Sequence, residues 1–123
     1  MRVEDELASA LERKGMSCQV RIEKRFPFSI QHYDKIQVDV VLDDKIAVEF
    51  KQDFNTDSIQ TGIGQTILYL YFYEESWLAV PNIAMEILKP IMEKIGLEAF
   101  KVLDWENMEL YEMRDGQVVS HKL

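Results

Sequence analysis

Two alternating runs separated by three residues constrain this chain more than any other feature. In the first, Ile36, Val38, Val40 and Leu42 alternate with Gln37, Asp39, Val41 and Asp43. In the second, Ile46, Val48 and Phe50 alternate with Ala47, Glu49 and Lys51. Period-two alternation on both sides of Asp43-Asp44-Lys45 predicts a β-hairpin. Pairing Leu42 with Ile46 sets Val40 opposite Val48 and Val38 opposite Phe50, with the apolar partners on one side. A slip by one residue would turn core-facing positions outward, so the alternation selects this register. The same register predicts Val41 opposite Ala47, Asp39 opposite Glu49 and Gln37 opposite Lys51.

That pairing is electrostatically unfavourable. Side chains opposed on adjacent strands have Cβ atoms about 4.5–5.5 Å apart, and like charges there destabilise the sheet. Lys51 projects from the same face, two residues after Glu49. A divalent cation held by Asp39 and Glu49 would relieve the repulsion, and carboxylates with water suit Mg²⁺ or Mn²⁺. The alternative is an exposed ion cluster in which Lys51 neutralises both acids, worth at most about 1 kcal/mol.

Around the hairpin the chain reads as a mixed α/β domain. Val3, Leu7, Ala10, Leu11 and Lys14 keep helical spacing over residues 3–14, and Gly15 follows as a stop. Residues 17–26 predict a strand with Cys18, Val20, Ile22 and Phe26 on one face; Gln19, Arg21, Glu23 and Arg25 lie on the other. Pro27 ends it, and residues 27–34 read as a loop. Residues 57–73 predict a long helix capped by Asp57 with Gln60 three positions on. Ser76–Pro81 reads as a short buried strand, residues 83–95 as a helix stopped by Gly96, and Leu97–Leu103 as another strand. Asp115-Gly116 marks a turn between Met108–Met113 and Gln117–Ser120. The order αβββαβα followed by strands predicts a mixed central sheet flanked by helices.

The 123 residues form one unit, 1–123, without repeats or Pro/Gly-rich linkers. No apolar run approaches the roughly 20 residues of a membrane span, and the acidic start lacks the marks of a secretory signal; a cytoplasmic protein is expected. The single Cys18 excludes an internal disulfide and a Cys-rich zinc cluster. A net charge of −8 argues against broad, non-specific adhesion to nucleic acid or an anionic membrane. Residues 1–60 hold 9 basic and 12 acidic side chains, residues 61–123 only 5 and 10, so a polyanion would bind the first part.

Asp39…Glu49-Phe50-Lys51 resembles the central motif of the PD-(D/E)xK nuclease superfamily, which includes archaeal Holliday junction resolvases and RecB-type nucleases. Glu4-Asp5-Glu6-Leu7, Leu11 and Gly15 resemble the opening helix of the resolvase-like branch, with Glu4 the preferred counterpart of its glutamate and Glu6 the second choice. Gln65-Thr66-Ile67-Leu68-Tyr69 resembles the Gln-x-x-x-Tyr of RecB-type members, on the helix after the lysine. The likeness covers about residues 3–81, leaving 83–123 as a helix-plus-strand extension; position 38 is Val where the superfamily's name has Pro. It implies a restriction-endonuclease-like αβββαβ core with extra C-terminal strands, and Mg²⁺- or Mn²⁺-dependent hydrolysis of DNA phosphodiesters, including structure-specific or branched DNA, by a homodimer. It implies metal binding by Asp39, Glu49 and Glu4, and catalytic roles for these with Lys51, Gln65 and Tyr69. A nuclease-fold protein that only binds or assembles is the competing expectation, favoured by the acidic charge.

Arg21, Lys24, Arg25 and Lys35, with Arg13 and Lys14, are the candidate phosphate contacts; a solvated face explains each of them equally well. Gly62 and Gly64 next to Gln65 disfavour helix and suggest a close backbone approach, to the sheet or to a ligand. His32 falls in the loop before the hairpin and His121 near the C-terminus, neither with metal-ligand spacing. Cys18 has the phase of a core residue, Trp77 belongs to the core, and Trp105, near a strand end, suits an interface.

Overall fold

A computed structural model describes residues 2–27 and 35–123. Most of the predicted 27–34 loop, with His32, lies outside the described residues. The described chain is a mixed α/β fold: helix α1 (Val3–Arg13), strands β1 (Cys18–Arg25), β2 (Lys35–Leu42) and β3 (Ile46–Phe50), helix α2 (Thr56–Tyr69), strand β4 (Glu75–Val80), a 3₁₀ turn (Asn82–Ala84), helix α3 (Met85–Ile95), and strands β5 (Phe100–Asp104), β6 (Glu109–Arg114) and β7 (Gln117–Lys122). The seven strands form one sheet in sequence order. β3, β4 and β5 run parallel, and the flanking pairs are antiparallel. Each parallel step is bridged by a helix, α2 then α3, as a parallel connection requires.

The middle of the sheet is buried on both faces. Leu7, Ala8 and Leu11 of α1 pack on Val40, Leu42, Val48, Trp77, Ala79 and Leu103. On the other face Ile59 of α2 and Met85, Leu88 and Met92 of α3 cover Leu78, Val80, Phe100 and Val102. This explains why β4 reads Ser-Trp-Leu-Ala-Val without alternation: its last five residues are buried on one side or the other. The acidic first turn of α1 (Glu4, Asp5, Glu6) suits the positive end of the helix dipole. Gly15 closes that helix at φ 94, a conformation that glycine adopts without penalty.

The hairpin register is as the alternation predicts for Leu42–Ile46, Val41–Ala47 and Val40–Val48. Asp43 and Asp44 make the turn at φ 52 and 58, where a short polar side chain is tolerated. Beyond Val40–Val48 the expectation fails: the ladder does not continue to Asp39–Glu49, Val38–Phe50 or Gln37–Lys51. The predicted single apolar face fails at the same level. Val38 is buried with Val41, Ala47 and Tyr69, on the side away from Val40 and Leu42, and Ile22 and Ile36 pack with it. Likewise Phe26 stacks on Tyr71 and Phe72 beyond the end of α2 rather than joining Cys18 and Val20. The change occurs at Arg21, which takes φ 53 in mid-strand; by register it faces Asp39, and that pair is missing from an otherwise continuous β1–β2 ladder.

Other boundaries shift for local reasons. α2 is capped by Asn55, not Asp57: the Asn55 side chain accepts from Ser58 N at 2.8 Å and Ser58 Oγ accepts from Asn55 N at 3.3 Å. It ends at Tyr69 rather than residue 73, because the amides of Leu70, Tyr71 and Phe72 turn back to carbonyls three residues earlier. The strand after Gly96 begins only at Phe100. Asp115 and Gly116, at φ 52 and 79, make the two-residue turn of the terminal hairpin.

Candidate active site

Where β2 and β3 part, the Asp39 side chain takes the place of the ladder. Its Oδ2 accepts the Phe50 N–H at 2.9 Å, while the following amide, Lys51 N–H, donates to Ala79 O of β4 at 2.8 Å. β3 therefore keeps its bonds to β4 while it leaves β2, and two acidic side chains enter the cleft between them. Asp39 and Glu49 lie close enough to act on each other's protonation.

Glu49 is buried at 4% exposure and held from α2. The Tyr69 hydroxyl lies 2.5 Å from Glu49 Oε1 and 3.1 Å from Gln37 O, donating its single proton to the carboxylate. Lys51 Nζ stands 3.3 Å from Glu49 Oε2. Burial, reinforced by the charge of Asp39, pushes the Glu49 carboxyl up to about 7 against the pull of Tyr69 and Lys51. Burial likewise raises Asp39, with the Glu4 charge adding to it and the Phe50 amide opposing. Two acids raised by burial, next to an ammonium, can accept a cation or share a proton.

Gly62 makes room for the lysine. A Cβ there would stand 2.8 Å from Leu78 Cδ1 and 3.2 Å from Lys51 Cε, so α2 lies directly on the Lys51 stem. Of the two readings of the glycine pair, Gly62 is thus an approach to the sheet and the lysine; Gly64 has nothing within 4 Å of the same position. Gln65, one turn before Tyr69, holds its Oε1 buried without a hydrogen-bond partner among the described residues. A buried acceptor in this state is ready for a donor.

Glu4 is close enough to act on Asp39 electrostatically, but its nearest cation is Arg21: Arg21 Nη1 lies 3.6 Å from Glu4 Oε1 and 3.0 Å from Asp5 Oδ1. Among the described residues no three His, Cys, Asp or Glu side chains gather as a metal cluster. The expected acidic trio is thus a close pair, Asp39 and Glu49, with Glu4 farther out. Glu6 is exposed and lines a cavity with Trp105 and Met108 instead. Of the other candidate phosphate contacts, Lys35 and Arg25 lie 3.4 and 3.9 Å from Glu23, and Lys24 sits over the Tyr73 ring.

Two features escaped the sequence reading. Trp105 donates its indole N–H to Lys51 O at 3.1 Å, tying the β5–β6 turn to the end of β3. Arg21 adopts a left-handed conformation that arginine in a strand rarely takes. No local pattern signals either one. Neither protein-family models, nor curated proteins, nor solved structures yield a match to this chain.

Proposed function

We propose that the chain is a metal-dependent nuclease with a restriction-endonuclease-like core, hydrolysing phosphodiester bonds in DNA. The observation that carries this reading is the convergence of Asp39 and Glu49 at the β2–β3 split, both raised chiefly by burial, with Lys51 at 3.3 Å from Glu49. A Mg²⁺ or Mn²⁺ fits that donor set, because such ions take one or two protein carboxylates and fill the rest of their shell with water and phosphate oxygens. Asp39 and Glu49 would hold it, with Glu4 acting through water. When bound, it polarises the phosphate and lowers the pKa of a coordinated water.

The remaining work falls to the chain itself. Lys51 supplies an ammonium that orients the attacking water and neutralises charge developing on the phosphate. Tyr69, with its hydroxyl committed to Glu49 and Gln37, fixes the Glu49 rotamer rather than touching substrate. The buried Gln65 Oε1, one turn before Tyr69 on the same helix face, offers an acceptor. Gly62 keeps the Lys51 stem flat against α2. A single domain of this size grips little of a duplex, so a homodimer with two such sites suits branched or paired-strand DNA.

The test is cleavage of labelled linear, flapped and four-way DNA with Mg²⁺ or Mn²⁺. Wild type is expected to cut at least one of them, Asp39→Ala none, and Lys51→Ala at least about a hundredfold more slowly; an inert wild type overturns the reading. One observation favours a second reading, a nuclease-fold protein that binds without cutting. Three of the cations expected to track phosphates, Arg21, Arg25 and Lys35, lie against Glu or Asp. Calorimetry showing Mn²⁺ bound by wild type but not by Asp39→Ala, without cleavage of any substrate, would select it.

A further inference from the structure

Behind Phe50, on the α1 side of β3, lies a half-open cavity of about 140 Å³. Val3, Leu7 and Ala10 of α1 make one wall; Phe50, Trp105 and Met108 make the other. Glu6 is the charged residue among the described residues lining it, and it is exposed. The turn that carries Trp105 and Met108 is built with unusual rigidity. Asp104, wholly buried, accepts from the backbone amides of Glu106 and Asn107 at 3.0 and 3.1 Å. It also accepts from the side-chain amides of Asn82 and Asn107 at 2.7 and 2.8 Å. Trp105 is pinned twice, by N–H to Val80 O at 3.1 Å and by its indole to Lys51 O at 3.1 Å. Met108 is held at φ 51, with its carbonyl accepting from Leu123 N at 2.9 Å.

We propose that this cavity is a subsite for one unpaired pyrimidine base, cytosine before thymine. The proposal rests on the nuclease reading for the position of the neighbouring phosphate: Val3 and Glu6 of the cavity flank Glu4, whose charge acts on Asp39. Three features identify the occupant. A cavity of about 150 Å³ holds a single six-membered aromatic ring, which excludes a base pair. An indole and a phenyl ring provide the apolar faces on which bases stack in single-stranded sites. The Glu6 carboxylate accepts from the cytosine N4 amino group, whereas thymine presents O4, another acceptor, at that position. The substrate is therefore a single strand, a flap or a nucleotide turned out of its duplex.

Trp77 is only 2% exposed, so quenching of tryptophan emission by a ligand reports Trp105. The experiment titrates the full chain in EDTA with single-stranded hexanucleotides of deoxycytidine and of thymidine, and then measures cleavage of the same strands with Mg²⁺ or Mn²⁺. Deoxycytidine strands are expected to quench and to bind at least about fivefold tighter. Glu6→Gln should bring the ratio towards one, because an amide serves either base. Ala10→Leu, which fills the cavity from the α1 side, should abolish quenching while the circular dichroism spectrum stays native. Equal affinity for the two strands in wild type, or unchanged binding in Ala10→Leu, overturns the subsite. Base-indifferent cleavage overturns the subsite and leaves the nuclease reading standing. Quenching with the expected variant effects, but no cleavage, leaves the subsite standing and removes the nuclease reading.

Discussion

Glu49 and Asp104 are both buried carboxylates at the ends of parallel strands in one sheet, and their surroundings are opposite. Asp104 is desolvated, yet four donors from Asn82, Glu106 and Asn107 overcome that and hold it below the usual carboxylate range. Glu49 exposes about as little surface but lies deeper among protein atoms and faces another acid, and Tyr69 and Lys51 do not compensate; it rises to about 7. Lack of exposed surface alone therefore does not decide which way a carboxylate shifts. The count of donors against like charges does. The sheet reflects this contrast. Around Asp104 the turn is closed and every oxygen is used, whereas around Asp39 and Glu49 the β2–β3 ladder is open.

Substitutions can break this comparison at either end, and the largest effect is expected at the open one. Lys51→Ala should lower kcat for DNA cleavage by about 10²–10³-fold, as loss of one preorganised charge-stabilising donor does elsewhere; retention of more than a tenth of wild-type kcat would contradict its role. At the closed end, Asp104→Ala strands several donors of the β5–β6 turn and should destabilise by about 3 kcal/mol. Urea unfolding measures this, and a loss below 1 kcal/mol would show that water replaces the carboxylate.

A pH series separates the two acids. The Glu49 carboxyl titrates higher folded than unfolded, so its contribution is full below about pH 4.5 and disappears as pH rises through about 7. Asp104 behaves oppositely: its contribution is present above pH 3.8 and disappears as pH falls through its lowered folded value. Between pH 5 and 8 the metal-free protein should therefore lose stability, by up to about 2 kcal/mol. Mg²⁺ at pH 8 should restore it, and Glu49→Gln should flatten the slope. A melting temperature independent of pH over that range would refute the assignment. The smallest effect is expected from Gly62→Ala, whose new methyl meets Leu78 at 2.8 Å and the Lys51 stem at 3.2 Å. A loss of about 1–2 kcal/mol is expected from overpacking. If activity falls further than stability explains, the displaced lysine is the reason.

Most of the fold was legible from local signals. The Asp43–Lys45 loop with alternation on each side defines the register from Leu42–Ile46 to Val40–Val48, and Asp115-Gly116 does the same for the last hairpin. Glycine stops at Gly15 and Gly96 mark two helix ends. The motif residues Asp39, Glu49, Lys51, Gln65 and Tyr69 could be named from spacing and resemblance, but what each touches could not. Tyr69 is assigned to Glu49 only because α2 lies over the open hairpin. Arg21 meets Glu4 and Asp5 only because β1 turns over at φ 53 beneath the start of α1. Trp105 reaches Lys51 O across 54 residues of chain, and no window of sequence contains both.

By itself, the sequence determined which segments become helix or strand and how the two hairpins pair next to their turns, because periodicity and turn chemistry act over a few residues. Only the tertiary structure decided where β2 leaves β3, which acids lose their water and which find donors. Those outcomes are set by packing between distant elements: a carboxylate's protonation depends on everything within several ångströms, whatever its place in the chain.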